Sequence, residues 1–111
     1  MTNITFDQFK TMELKVGEIK TAEDIEGADR LYKIRVAIGE AEERQVVAGI
    51  KGFYNKEELI GKKVAVLLNL EPKTLRGEVS HGMLLAAVTD EPRNVVLLIV
   101  DKDMPNGSRI S

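Results

Sequence analysis

The chain has 111 residues, 43% hydrophobic and 31% charged, which suffices for one buried core and is too short for two typical domains. No apolar run approaches the ~20 residues of a membrane-spanning helix, the absence of Cys excludes disulfides and thiolate chemistry, and the N-terminus lacks signal-peptide form, so a cytoplasmic protein with no membrane partner is expected. A net charge of -2 argues against a surface that grips nucleic acid everywhere, because Lys and Arg neutralising phosphate supply most non-specific affinity.

Thr5-Phe6-Asp7-Gln8 fits a capping box and predicts a short helix from about Phe6 to Met12, whose Phe6 and Phe9 share a face and are expected to cover the barrel. From Leu14 the period changes to two: Leu14, Val16 and Ile19 alternate with Lys15, Glu18 and Lys20, and Gly17 suggests a bulge or sharp bend. A second strand, Leu31 to Ile38, places Tyr32, Ile34, Val36 and Ile38 on one face and Lys33 and Arg35 on the other. Gly39 to Glu43 turn the chain into a third strand, Arg44 to Ile50. Asn55 is an N-cap for a helix over Lys56 to Ile60 that Gly61 ends. A fourth strand, Lys63 to Leu68, and a fifth, Met83 to Val88, flank a polar loop.

Five short strands with a small helix between the third and fourth is the element order of an OB-fold, a partly open five-stranded Greek-key barrel. The fold class is therefore all-β with short helices. Similar strands could build a sandwich, but the position of the helix favours the barrel. Residues 1–111 are read as one domain, with a core of about 13–88 and a C-terminal extension over 89–111. In that extension Val95 to Val100 is apolar throughout, which implies burial on both faces. It would bury against a partner subunit, a second copy of the chain, or pack back on its own barrel. Asp101 to Ser111 reads as a final turn and tail.

Catalysis finds little support. His81 is the single histidine and neighbours Ser80, but adjacent residues on a strand point to opposite faces, and no third group is evident. Asp101 and Asp103 lack the further oxygen ligands and the glycine of a calcium loop. No phosphate-binding or dinucleotide-binding glycine pattern occurs. No catalytic residue, metal or cofactor is expected.

Binding is better supported. From Arg44 to Arg76 there are seven cations against three acids, a balance of +4, while the remainder of the chain carries -6. This reads either as a basic face on an acidic body or as solvated surface. Within the loop, Lys73 and Arg76 offer phosphate contacts, one a point charge and one a planar fork. Asn69 carries a donor and an acceptor for a ribose or base edge, or caps the fourth strand. Ser80 offers a hydroxyl to phosphate or sugar. Met83 is an adaptable apolar contact or core filling. Gly77 and Gly82 let the backbone turn or approach RNA closely. Lys33 and Arg35 extend the patch or form an ordinary solvated face. The chain has only five aromatic residues, Phe6, Phe9, Tyr32, Phe53 and Tyr54, so few rings remain for base stacking. Recognition of a folded RNA by shape, phosphate and 2'-hydroxyl contacts fits better.

The loop also carries a recognisable string. Asn69-Leu70-Glu71-Pro72-Lys73-Thr74-Leu75-Arg76-Gly77-Glu78-Val79-Ser80-His81-Gly82-Met83-Leu84-Leu85 matches, at every fixed position, the Asn-Leu-x-Pro-x-x-Leu-x-Gly-x-x-Ser-x-Gly-Met-x-Leu pattern of a tRNA-binding domain. That domain is found free in many prokaryotes, at the C-terminus of many methionyl-tRNA synthetases and in the endothelial-monocyte-activating polypeptide. Leu14 to Ile19, Ala28 to Tyr32 and Val46 to Ile50 resemble other segments of the family, so the likeness covers roughly residues 13–88. Where the family usually has His-Pro before the Ala-Asp pair, this chain has Ile25 and Glu26. The resemblance implies a homodimer, paired through elements flanking the barrel, that binds tRNA at its L-shaped corner. Two alternatives are a detached dimerisation or delivery subunit of methionyl-tRNA synthetase and a peptide-binding export chaperone of a related branch.

Overall fold

The computed structural model describes residues 2–111; Met1 lies outside the described residues. Helix α1, Phe6–Lys10, starts as its sequence dictates, with the Gln8 amide donating to Thr5 Oγ1 at 3.1 Å and the Thr5 amide to Gln8 Oε1 at 2.8 Å. It does not cover the barrel: none of its residues is buried, Phe6 is 71% exposed, and its ring stacks on Phe9 and lies under Lys10 Nζ, 5.4 Å from the ring centre, both within the helix.

Strand β1 runs over Leu14–Ile25, well past the expected end near Lys20, because its second half pairs with β2, Ala28–Ala37. Polar Thr21, Glu23 and Asp24 concealed that half, since a strand with a solvated outer face loses apolar alternation. The register slips between Ile19 and Thr21, which places the bulge at Lys20 and not at Gly17. Gly17 serves packing instead: a Cβ there would lie 2.5 Å from Val36 Cγ1 and 2.9 Å from Val66 Cγ2. Strand β2 alternates as expected, with Tyr32, Ile34, Val36 and Ile38 all buried on the barrel side.

Strand β3, Arg44–Ala48, pairs with β2. Helix α2, Lys56–Leu59, follows, its first turn held by the Asn55 amide donating to Glu58 Oε2 at 2.7 Å. Leu59 is fully buried and joins the central core with Ile19, Ile34, Val64 and Val66. Burying each such side chain stabilises the fold by roughly 1.5 to 3 kcal/mol, so α2 is a plug fixed by one residue. Strand β4, Lys63–Leu67, leads to a hairpin of β5, Lys73–Leu75, and β6, Glu78–Ser80. The expected fifth strand divides into β7, Met83–Leu84, and β8, Ala86–Asp90, which pairs with β9, Arg93–Leu97. The main sheet is antiparallel with order β3-β2-β1-β4-β7, an OB-type arrangement whose ladder does not close into a complete barrel.

The expectation that Val95 to Val100 is buried on both faces fails. Only Val95 and Leu97 enter the core, while Val96, Leu98 and Ile99 face outward, with Ile99 60% exposed. The two-stranded β8-β9 sheet has one face against the barrel, and among the described residues Val88 and Val96 on the other stay exposed.

The C-terminal segment is more than a loose tail. The Gly107 amide donates to Val16 O at 2.7 Å, the Val16 amide to Ser108 O at 2.9 Å and the Ile110 amide to Leu14 O at 2.8 Å. Pairing with β2 begins only at Glu18, which leaves an unpaired edge on β1 that this segment fills. Side chains pin it further: Asn106 Nδ2 donates to Glu18 Oε1 at 3.1 Å, and Lys63 Nζ lies 2.8 Å from Asp103. The Asn106 hydrogen bond first, then Lys20, holds the Glu18 carboxyl below its ordinary range, and the Lys63 hydrogen bond does the same for Asp103. Because both carboxyls titrate lower when folded, their contribution is complete above their unfolded values and is lost as pH falls through the lowered ones. Amide hydrogen exchange at Gly107 and Ile110 is therefore expected to accelerate, relative to core amides such as Ile34, only below the ordinary carboxylate range. Equal acceleration at all three sites, meaning global unfolding alone, would contradict this local release.

Candidate nucleic-acid interface

The segment Asn69–Gly82, expected as a loop, is largely the β5-β6 hairpin. Its two-residue turn is Arg76-Gly77, with φ of 52° and 81°, the positive pair that a type I' hairpin requires. Leu75 anchors it in a second apolar cluster with Ile25, Ala28, Leu31 and Val47, so the hairpin lies against the outward side of β2 and β3. It also spans the open seam between β3 and β7. The Val47 amide donates to Ser80 Oγ at 2.9 Å, the His81 amide to Gln45 O at 2.9 Å, and Gln45 Nε2 to Val79 O at 3.0 Å.

Those bonds sort the expected contact residues. Ser80 is buried, and its hydroxyl is occupied by Val47 and by Gly82 O at 3.0 Å. Its removal would strand a buried amide, at a cost of about 1 to 3 kcal/mol. Asn69 uses both ends of its amide on backbone, accepting from the Glu13 amide at 2.9 Å and donating to Thr11 O at 2.6 Å, which ties the end of β4 to the link between α1 and β1 instead of capping β4 itself. Gly82 is buried at φ 122°, with space for a Cβ blocked by Leu67 O. These three hold the hairpin rather than present a free polar group. Lys73, Arg76 and Arg35 are exposed, Gly77 sits in open space at the turn, and Met83 is 44% exposed. Lys33 is half-buried between Glu23 at 3.7 Å and Glu78 at 3.6 Å, so its charge is largely neutralised locally.

The basic run from Arg44 to Arg76 is thinner than its count. Asp24 takes up Lys51 at 3.0 Å and Lys56 at 2.7 Å, and these two hydrogen bonds, Lys56 first, hold the Asp24 carboxyl below its ordinary value. Lys63 pairs with Asp103, and Arg44 Nη1 donates to Leu68 O at 2.8 Å. Among the described residues, no carboxylate lies within ion-pair distance of Lys73, Arg76, Arg30 or Arg35. Arg30 was not expected as a site residue. With Arg76 it lines a 260 Å³ cleft whose other walls are Gly27, Ala28, Leu31 and the exposed Asp29, which is ion-paired with neither guanidinium. Its sequence position after a turn carried no signal of this, because only the fold brings the β1-β2 turn to the hairpin tip.

The free cations thus lie along the outer side of β2 and β3, between the β1-β2 turn and the β4-to-β7 hairpin. An OB-fold binds oligonucleotides on this face and with these two loops. The likeness to known proteins agrees. Residues 14–109 match the model of the tRNA_bind family, a tRNA binding domain. The chain belongs to that family.

Members of the family at this level of likeness include parts of larger enzymes. The methionine–tRNA ligase of Caldanaerobacter subterraneus subsp. tengcongensis is 50% identical over 108 residues, covering 97% of this chain and 16% of that protein. That of Methanocaldococcus jannaschii is 48% identical over 110 residues, covering 99% of this chain and 17% of the ligase. The chain thus spans about a sixth of the length of these relatives. Among solved structures, a MetRS related protein from Pyrococcus horikoshii superposes with a TM-score of 0.92 at 40% identity, covering both chains fully. The chaperone CsaA from Bacillus anthracis superposes at 0.88 with 31% identity, covering 99% of this chain and all of that one. The family is a binding domain and not a catalytic one, and among the described residues no cluster of His, Cys, Asp or Glu could hold a metal ion. No helix among them is long and apolar enough to cross a membrane.

Proposed function

We propose that this domain binds tRNA as a homodimer in the cytoplasm, with Lys73 and Arg76 on phosphate, and Arg35 and Met83 extending the contact along the sheet. The observation that carries this reading is the exposed pair Lys73 and Arg76, neither of them ion-paired among the described residues, on a hairpin that Asn69, Ser80 and Gly82 hold rigid beside the strand face. Gly77 supplies the turn that presents Arg76. Recognition is of backbone and shape, since phosphate contacts carry no sequence information by themselves.

The dimer reading rests on apolar surface left uncovered. Phe6, Phe9, Met12, Leu14 and Ile110 line a groove of 240 Å³ at the N-terminal end, and Val96, Leu98 and Ile99 face outward from β9 and the residues after it. Both lie in the elements that flank the barrel, so a second copy would bury the aromatic pair that α1 fails to bury itself. Two weak sites joined rigidly bind more tightly than one, by roughly 10² to 10⁴ when geometry allows both to engage.

Two other roles suit the same surface. Likeness to the MetRS related protein favours a dimerisation or tRNA-delivery subunit that docks on an aminoacyl-tRNA synthetase, and likeness to CsaA favours a peptide-binding chaperone. A titration at two salt concentrations separates them. Salt-sensitive binding of tRNA in preference to an equal-length single-stranded RNA is expected; apolar peptide binding that salt scarcely changes, with no RNA binding, would favour the chaperone. Light scattering on the same samples is expected to give twice the chain mass, falling to one chain in Phe6→Glu; a monomeric wild type would remove the dimer.

A further inference from the structure

We propose that the depression beside the β2-β3 edge is a stacking site for one unpaired nucleotide of the bound RNA, with its base on Phe53 and its phosphate between Arg30 and Arg93. The site rests on the tRNA-binding reading and extends it to a residue outside the hairpin.

The depression has a volume of 450 Å³ and is lined by Arg30, Leu31, Gly49, Gly52, Phe53 and Arg93. It has two guanidinium groups at its rim and no acidic lining residue. Arg93 has only a long contact to Asp90, 3.9 Å, with both side chains well exposed. Phe53 is held by a turn in which its amide donates to Ile50 O at 2.9 Å, and its side chain is partly exposed, at 36%. The other aromatic residues are spent elsewhere. Tyr32 donates to Tyr54 O at 2.7 Å, the Tyr54 hydroxyl accepts from the Leu97 amide at 3.0 Å, and Phe6 and Phe9 line the N-terminal groove. Phe53 is therefore the one ring presented to solvent on this side among the described residues.

The glycines make the room. A Cβ at Gly52 would meet nothing within 4 Å, and one at Gly49 would only touch Leu31 Cδ2 at 3.8 Å and Arg30 O at 3.9 Å, so the depression is open because side chains are absent, and the fold does not require glycine packing there. A flat ring flanked by guanidinium groups is what a nucleobase and its phosphate recognise together. Arg30 lines this depression and also the cleft it shares with Arg76. A strand held at Lys73 and Arg76 therefore reaches Phe53 past Arg30 and past Asp29, the one acid lining the shared cleft.

The chain has no Trp, so Phe53→Trp supplies a single indole at the site. Mixed tRNA and a blunt, fully paired RNA duplex are titrated into wild type, Phe53→Ala and Phe53→Trp, each checked for native fold by circular dichroism. Quenching of the indole by tRNA but not by the duplex is expected, with tRNA binding weakened about tenfold in Phe53→Ala and duplex binding unchanged. Arg30→Gln, Arg93→Gln is expected to weaken tRNA binding without unfolding the domain. Wild-type tRNA affinity in Phe53→Ala, or an indole unquenched by saturating tRNA, would overturn the stacking site while leaving the tRNA reading intact. A wild type that binds neither RNA overturns that reading and this site with it.

Discussion

Replacing Lys73 by Gln and Arg76 by Asn together is expected to weaken tRNA binding roughly a hundredfold at moderate salt, about 1.4 kcal/mol for each cation withdrawn from a phosphate. The slope of log affinity against log salt should flatten by between one and two, since each neutralised phosphate contributes about 0.7 to 0.9. The choice of Asn at 76 matters. Arg76 sits at φ 52° ahead of Gly77 at φ 81°, and Asn-Gly is the favoured pair for that turn, so the substitution removes charge while suiting the backbone better. Any loss then reports the charge and not a broken hairpin. Arg35→Gln serves as the comparison: it lies exposed on β2 away from the hairpin tip, and a smaller effect is expected. An unchanged affinity and slope in the double variant, measured by fluorescence anisotropy, would move the RNA contact off the hairpin altogether.

Gly82→Ala is expected to destabilise the domain by about 3 kcal/mol, read as a fall in the urea midpoint at constant slope. Gly82 lies buried at φ 122°, a region L side chains rarely adopt, and its new Cβ would sit 2.7 Å from Leu67 O, a backbone atom that cannot step aside. Backbone strain and overpacking contribute on the order of 1 to 3 kcal/mol each. Gly77→Ala makes the control. That residue also has a positive φ, 81°, but nothing within 4 Å of its Cβ position, so only conformational strain, about 1 kcal/mol, is expected. Equal losses at the two sites would show that the close approach to β4 carries no weight. Because Ser80 donates to Gly82 O, disturbing Gly82 also loosens the bond that ties β6 to Val47. The hairpin cations should then lose their fixed position before the domain unfolds.

The division of labour in the hairpin string follows from these geometries. Asn69, Ser80 and Gly82 are the residues that secure the hairpin at its two roots, while Lys73, Arg76 and Gly77 belong to the hairpin itself, with Arg76 and Gly77 at its tip. A string of this kind is needed because a short hairpin lying against an open seam has little core of its own. Leu75 is its one apolar anchor into the cluster of Ile25, Ala28 and Val47. Polar groups satisfied on both sides supply the rest of its rigidity. Met83, just past the second root, keeps an exposed side chain at the sheet edge.

Local chemistry was legible in the sequence wherever neighbours along the chain decide the outcome. The Thr5-Gln8 box, the short helix after Asn55, the alternation of Tyr32, Ile34, Val36 and Ile38, and the string from Asn69 to Leu85 each depend on spacings of a few residues, and together they determined an OB-type domain of the tRNA-binding family. What the tertiary structure alone decided depends on pairs far apart in the chain. Lys51 and Lys56 are neutralised by Asp24, Ser80 is enclosed by Val47, Arg30 comes to share a cleft with Arg76, and the segment from Asn106 to Ile110 fills the free edge of β1. Val95 to Val100 shows the limit most plainly. Its composition speaks for burial on two sides, yet β9 ends at Leu97 with one face against the core, and Leu98 to Val100 run back along β4, the Ala65 amide donating to Leu98 O at 3.1 Å and the Val100 amide to Lys63 O at 3.2 Å, which leaves Ile99 exposed; such pairing between distant segments is a property of packing, which no local pattern encodes.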